Sequence, residues 1–168
     1  AKKENKPRLA SLALHVKTAT GARRAFALMD KVAEGVTLTR DLVSEPPNVL
    51  YPKSFAAEAR KLNRLGIKVE VLGERKMREL RMRTLLAVGQ GAEHESQLVV
   101  MQWNGAGKSK TPIAFVGKGV TFDSGGLSLK PSGSMQTMRC DMAGAATVLG
   151  AAGAIAELGL PIRVSTFI

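Results

Sequence analysis

Short β-prone runs alternate with helical stripes along most of this chain, and that alternation constrains the fold more than any other feature. Residues 20–43 set Ala22, Ala25, Phe26, Met29, Val32, Ala33 and Val36 at helical spacing, and Pro46-Pro47 ends the stripe. Pro52 opens a second predicted helix that runs to about Leu65 and stops at Gly66. Residues 74–81 predict a third, and residues 143–158, rich in Ala and Gly, a fourth suited to close packing on a sheet. Between them, residues 67–72, 84–88, 98–103, 113–116 and 163–168 read as strands. This order of elements predicts an α/β sandwich with a mixed sheet. With 168 residues, 45% of them hydrophobic, the chain can bury one core; with aromatics at 4%, that core rests on Leu, Val, Ile, Ala and Met.

The chemistry concentrates in one place. The glycine-rich segment from Gly117 to Pro131 follows the run 113–116 directly and holds Lys118, Asp123 and Lys130, with Asp141 just beyond it. A buried strand ending here puts Lys118 where open α/β sheets place their ligands. Asp123 and Asp141 are hard oxygen donors suited to Mg, Mn or Zn, and two carboxylates brought together repel unless a proton or cation lies between them. Gly117 and Gly119 let the backbone come close to a bound group. Lys118, desolvated beside a divalent ion, can lose its proton and donate nitrogen. Lys130 can instead stay charged, in a loop shaped by Gly125, Gly126 and Pro131, and face a developing oxyanion. One Lys and one Asp in a glycine-rich turn are more often a solvated loop. The order of the whole string shifts that weight.

Residues 117–146, Gly-Lys-Gly-Val-Thr-Phe-Asp-Ser-Gly-Gly-Leu-Ser-Leu-Lys-Pro through Met-Arg-Cys-Asp-Met-Ala-Gly-Ala-Ala, resemble the first metal-binding segment of the leucyl aminopeptidase (cytosol aminopeptidase) family. Upstream, Arg40-Asp41-Leu42-Val43-Ser44-Glu45-Pro46-Pro47-Asn48 resembles that family's entry into its catalytic domain, and Leu86-Ala87-Val88-Gly89-Gln90-Gly91 a later strand and turn. The resemblance covers roughly residues 20–168. It implies a three-layer, zinc-exopeptidase-like α/β/α sandwich, incomplete here, in which residues 1–44 are a linking region and helix and residues 45–168 the first part of a catalytic metallopeptidase domain. It implies two divalent ions, Zn or Mn, with Lys118, Asp123 and Asp141 as ligands and Asp123 bridging. Lys130 would be the catalytic lysine that polarises the scissile carbonyl and stabilises the gem-diolate, and Met138 would line the pocket for the first side chain of a peptide substrate. The implied reaction is hydrolysis of an N-terminal peptide bond by a hydroxide held between the ions. The family's second signature, Asn-Thr-Asp-Ala-Glu-Gly-Arg, which supplies a further Asp, a bridging Glu and an Arg that holds a bicarbonate, does not occur in these 168 residues. The resemblance therefore implies about half of an active site, inactive alone, and a hexamer of complete subunits.

Charge is unevenly spread within a formal net charge of +11. Residues 1–110 hold 21 Lys and Arg against 11 Asp and Glu, whereas residues 111–168 hold 4 against 3. Lys2, Lys3, Lys6 and Arg8 form a basic start, and Arg75, Lys76, Arg78, Arg81 and Arg83 crowd one short helix. Such clusters suit nucleic acid, the alternative function for this chain. With no aromatic platform beside them, a solvated face or a surface that pairs with acidic parts elsewhere is the favoured reading. The remaining motifs have plainer readings. Asn104-Gly105-Ala106-Gly107-Lys108-Ser109 lacks the first glycine of a phosphate loop, because Gln102 stands there, and a strand follows it. His15 and His94 are expected to be isolated and exposed, and Ser124 has no nearby base. Cys140, the only cysteine, is expected as a small buried residue and fits a reducing compartment. No leader precedes an apolar segment and no apolar run approaches the roughly 18 residues of a membrane span, so a cytoplasmic location without membrane contact is the expectation.

Overall fold

The computed structural model describes residues 9–106 and 111–168. Helix α1 (Ala19–Ser44) is the long helix that the stripe predicts, and it ends before Pro46-Pro47, where the missing amide donors forbid another turn. The stripe itself is mostly not core: Leu42 is buried, whereas Phe26 and Met29 are exposed. Helix α2 (Pro52–Lys61) opens on proline at a position where an amide hydrogen has no intrahelical partner to lose. The Tyr51 amide donates to Ser54 Oγ at 2.9 Å and closes that end. A 3-10 turn, Leu62–Leu65, carries the chain to Gly66, whose φ of 83° lets it leave the helix.

The strands are β1 (Lys68–Gly73), β2 (Gln97–Asn104), β3 (Ile113–Val116) and β4 (Arg163–Phe167). They form one sheet in the order β1-β2-β4-β3. The first two pairings are antiparallel and β3 runs parallel to β4, so the sheet is mixed as expected. Helix α6 (Ala143–Glu157) provides the crossover that a parallel pair requires. Three short helices complete the chain: α3 (Glu74–Glu79), α4 (Arg83–Gly89) and α5 (Ser132–Met135).

Helix α4 corrects the expectation of a strand over residues 84–88. Leu and Ala are strong helix formers, and the run shows no alternation of burial that a half-buried strand needs: Leu85 and Val88 are exposed and Leu86 alone is half-buried. The expectation that the run 113–116 is a buried strand also fails. β3 lies at the edge of the sheet, with Val116 78% exposed. Only the side of Phe115 and Gly117 faces the helices, and the alternate residues Ala114 and Val116 stay open.

Alternation places the core. Val99 and Met101 of β2 are buried, and the register aligns Met101 with Thr166 and Trp103 with Val164, so all five share a face. Against that face pack Phe55, Ala56 and Ala59 of α2, Leu42 of α1, and Ala145, Ala146, Leu149, Ala152 and Ala156 of α6. Small residues let α6 lie close to its neighbours. At the crossing with α1, a Cβ on Gly35 would stand 2.7 Å from the Gly150 carbonyl oxygen, which only paired glycines avoid. Thr39 Oγ sits 3.0 Å from the Gly35 carbonyl and 3.1 Å from that of Ala146. Lys31 Nζ reaches Glu157 at 3.2 Å, and that carboxylate holds the ammonium above the ordinary lysine range.

Candidate metal centre

The close packing of α6 continues to its first turn, and there it shapes the site. A Cβ on Gly117 would stand 2.6 Å from both the Gly144 carbonyl oxygen and the Val148 side chain. Glycine lets the end of β3 press onto the helix start. The Gly117 amide donates to the Phe167 carbonyl at 2.9 Å, and the Ala145 amide donates to the Lys118 carbonyl at 2.9 Å. Lys118 is thereby pinned beside the 3-10 turn Met138–Met142, which carries Asp141. Lys118 Nζ and Asp141 Oδ2 form an ion pair. Asp141 Oδ2 is sealed from solvent and has no aligned hydrogen-bond donor among the described residues, so it is the lysine's charge that offsets it. Lys118 itself is not desolvated as expected: its side chain is 59% exposed, because the loop beyond β3 leaves it uncovered on one side.

A second pair stands in the loop. Asp123 Oδ1 accepts a hydrogen bond from the Gly125 amide at 2.8 Å, and its Oδ2 lies 3.3 Å from Lys130 Nζ. The Lys130 amide donates to the Ser124 carbonyl at 2.9 Å and closes the loop between them. The Gly125 amide above all, helped by the hydrogen bond and charge of Lys130 and the charge of Lys118, holds the Asp123 carboxyl below the ordinary carboxylate range against an opposing effect of burial that is second only to that amide. What that adds to stability is present above the ordinary carboxylate range and is lost as pH falls through the lowered value. Because the charge of Lys118 reaches Asp123 as well as Asp141, the four residues share one electrostatic field.

Met138 is half-buried at the first position of the 3-10 turn. Cys140 is exposed, against the expectation of a buried thiol. At three residues per turn, the segment that buries Met142 turns Cys140 outward. His94 is exposed but not isolated, since it stacks on Tyr51 with ring centroids 4.2 Å apart. That stack rims a groove of about 500 Å³ lined by Phe55, Leu85, Val88, Val116 and Phe122, with Lys118 in its wall. Sequence reasoning missed both features, since residues 51 and 94 share no motif. In the basic cluster, Arg78 pairs with Glu74 at 2.5 Å and Lys76 with Glu79 at 2.9 Å, the near neighbours that a solvated helix face provides. Lys2, Lys3, Lys6 and Arg8, and Gly107 to Ser109 of the dismissed phosphate loop, lie outside the described residues.

The donor set fits a hard divalent cation, in part. Asp141 presents a solvent-sealed oxygen already complemented by one positive charge, that of Lys118, and Asp123 adds a second carboxylate in the same field. Among the described residues, no three His, Cys, Asp or Glu side chains converge, so a full coordination shell takes further ligands.

A glycine-rich loop at the end of a strand in a mixed α/β sheet is a ligand-binding position of the α/β class, and comparison with known proteins gives the family. Residues 37–168 match the model of the cytosol aminopeptidase family, catalytic domain, and the chain belongs to that family. It is 48% identical over 161 residues to a probable cytosol aminopeptidase of Rhodopseudomonas palustris (strain BisB18), covering 96% of this chain and 32% of that protein. It is 50% identical over 156 residues to its counterpart in Gluconobacter oxydans (strain 621H), covering 93% and 32%. Among solved structures, the bottromycin maturation enzyme BotP in complex with Mn superposes with a TM-score of 0.81 at 41% identity, covering 89% of this chain and 32% of that one. Leucyl aminopeptidase from Trypanosoma brucei in complex with actinonin gives 0.77 at 31% identity, covering 83% and 27%. The chain spans about a third of the length of the curated relatives it matches. No helix among the described residues is long and apolar enough to cross a membrane.

Proposed function

We propose that this chain supplies the first half of the active site of a metal-dependent aminopeptidase that removes N-terminal residues, leucine among them, from peptides. The observation that carries the reading is the pair of carboxylates, Asp123 and Asp141, each facing a lysine in one field at the end of β3. Asp123, Asp141 and Lys118 would hold two divalent ions, Zn or Mn, and family membership together with the Mn-bound BotP structure supports that choice. When bound, such ions supply Lewis acidity and lower the pKa of water. Lys130 keeps its ammonium within reach of the reacting carbonyl. Paired with Asp123 at 3.3 Å, it turns to a developing oxyanion when the charge of Asp123 is engaged elsewhere. Met138, half-buried at the entry to the 3-10 turn, would line the pocket for the substrate's first side chain. Family membership also supports a hexamer of complete subunits.

The test is a chimera in which these residues replace the matching third of the Gluconobacter oxydans relative. Asp123→Asn in that chimera is expected to lower bound Mn, measured by mass spectrometry of the metal, and to reduce leucine amide hydrolysis by at least about 100-fold. Unchanged metal content and unchanged hydrolysis would sink the reading.

A further inference from the structure

Asp123 and Lys130 are seven residues apart, yet their side chains meet at 3.3 Å, and one glycine stands at the point where the loop closes. Gly125 has φ of 94°, in the left-handed region that a side chain resists. Its amide donates to Asp123 Oδ1 at 2.8 Å. An added Cβ there would stand 2.2 Å from the Ser128 carbonyl oxygen, 2.9 Å from the Lys130 amide nitrogen and 3.1 Å from Lys130 Cγ. Its neighbour Gly126 shares the backbone requirement, with φ of 70°, but a Cβ on Gly126 meets nothing within 4 Å. The two glycines therefore differ in kind. Gly126 serves the turn, whereas Gly125 also leaves the space into which the backbone and stem of Lys130 fold.

We infer that Gly125 is a positioning residue: it orients the Asp123 carboxylate through its amide and, by lacking a side chain, lets Lys130 close against that carboxylate. The inference rests on the aminopeptidase reading for its catalytic consequence and on the geometry alone for the pairing. A side chain at 125 pushes Lys130 outward and withdraws the amide from Asp123. The Lys118–Asp141 pair, held separately by Gly117 and the start of α6, stays in place.

The pairing is read in the full chain by zero-length carbodiimide cross-linking, which joins an amine to a carboxylate only in direct contact, with the joined residues mapped by mass spectrometry. Gly125→Ala is expected to lose the Lys130–Asp123 cross-link by about tenfold or more and to keep Lys118–Asp141, a split that general unfolding does not produce. Gly126→Ala, which also places a side chain at positive φ but without a collision, is expected to keep both cross-links. In the Gluconobacter chimera, Gly125→Ala is expected to lower kcat for leucine amide by about 100-fold, the scale of a misplacement near 1 Å, with KM within about threefold. Retention of the Lys130–Asp123 cross-link in Gly125→Ala, or an unchanged kcat, overturns the inference. If the unsubstituted chimera is inactive while its parent is active, the aminopeptidase reading fails, and the cross-link alone still decides whether Gly125 holds the pair.

Discussion

At the residue scale the site rests on two ion pairs, Lys118 with Asp141 and Lys130 with Asp123. Lys118, Asp123, Lys130 and Asp141 stood out from the loop that follows an apolar run, and the structure brings them together as two ion pairs. Their pairing was not legible, since which lysine meets which carboxylate depends on how Gly117 lets β3 approach α6 and how Gly125 folds the loop. Cys140 failed for a related reason: burial follows the winding of a 3-10 turn, which composition does not show. A further consequence at this scale concerns Thr166, which is 1% exposed and whose hydroxyl has no hydrogen-bond partner among the described residues. A buried, unpartnered hydroxyl costs free energy that an isosteric methyl does not. Thr166→Val is therefore expected to stabilise the chain by about 1 kcal/mol, read from urea unfolding. A loss of stability would mean that the hydroxyl is partnered.

Helices and strands were read well where periodicity was long or proline and glycine marked an end. The second helix starts at Pro52 and the chain leaves its 3-10 extension at Gly66, as the sequence required. Residues 84–88 misled because a five-residue run of Thr, Leu, Ala and Val satisfies a short strand and a short helix equally, and only tertiary packing decides between them. The small residues of α6 suit close packing on a sheet, and the structure also uses them at a crossing with α1, whose partner Gly35 is not among the apolar positions of the stripe. A Cβ on Gly150 would stand 2.3 Å from Thr39 Oγ and 2.4 Å from the Gly35 carbonyl oxygen. Alanine gains about 1 kcal/mol over glycine in a helix interior, so intrinsic preference alone predicts stabilisation by Gly150→Ala. The overlap reverses that sign. A net loss of roughly 1–3 kcal/mol is expected in urea unfolding, and a gain would show that α1 gives way at no cost.

At the scale of the whole molecule, α2 and α6 pack on the sheet and α1 packs on α6, while Val116 and Ala114 at the β3 edge stay open. The same edge carries the proposed site, two carboxylates each facing a lysine. A chain that spans a third of its relatives' length, and in whose described residues no three His, Cys, Asp or Glu side chains converge, is expected to depend on the remainder for chemistry. The most direct measurement is hydrolysis of leucine amide with added Mn by the 168-residue chain and by the Gluconobacter chimera, side by side. The account predicts turnover by the chimera and none above background by the chain alone. Turnover by the chain alone at a comparable rate, or an inactive chimera beside an active parent, would contradict it.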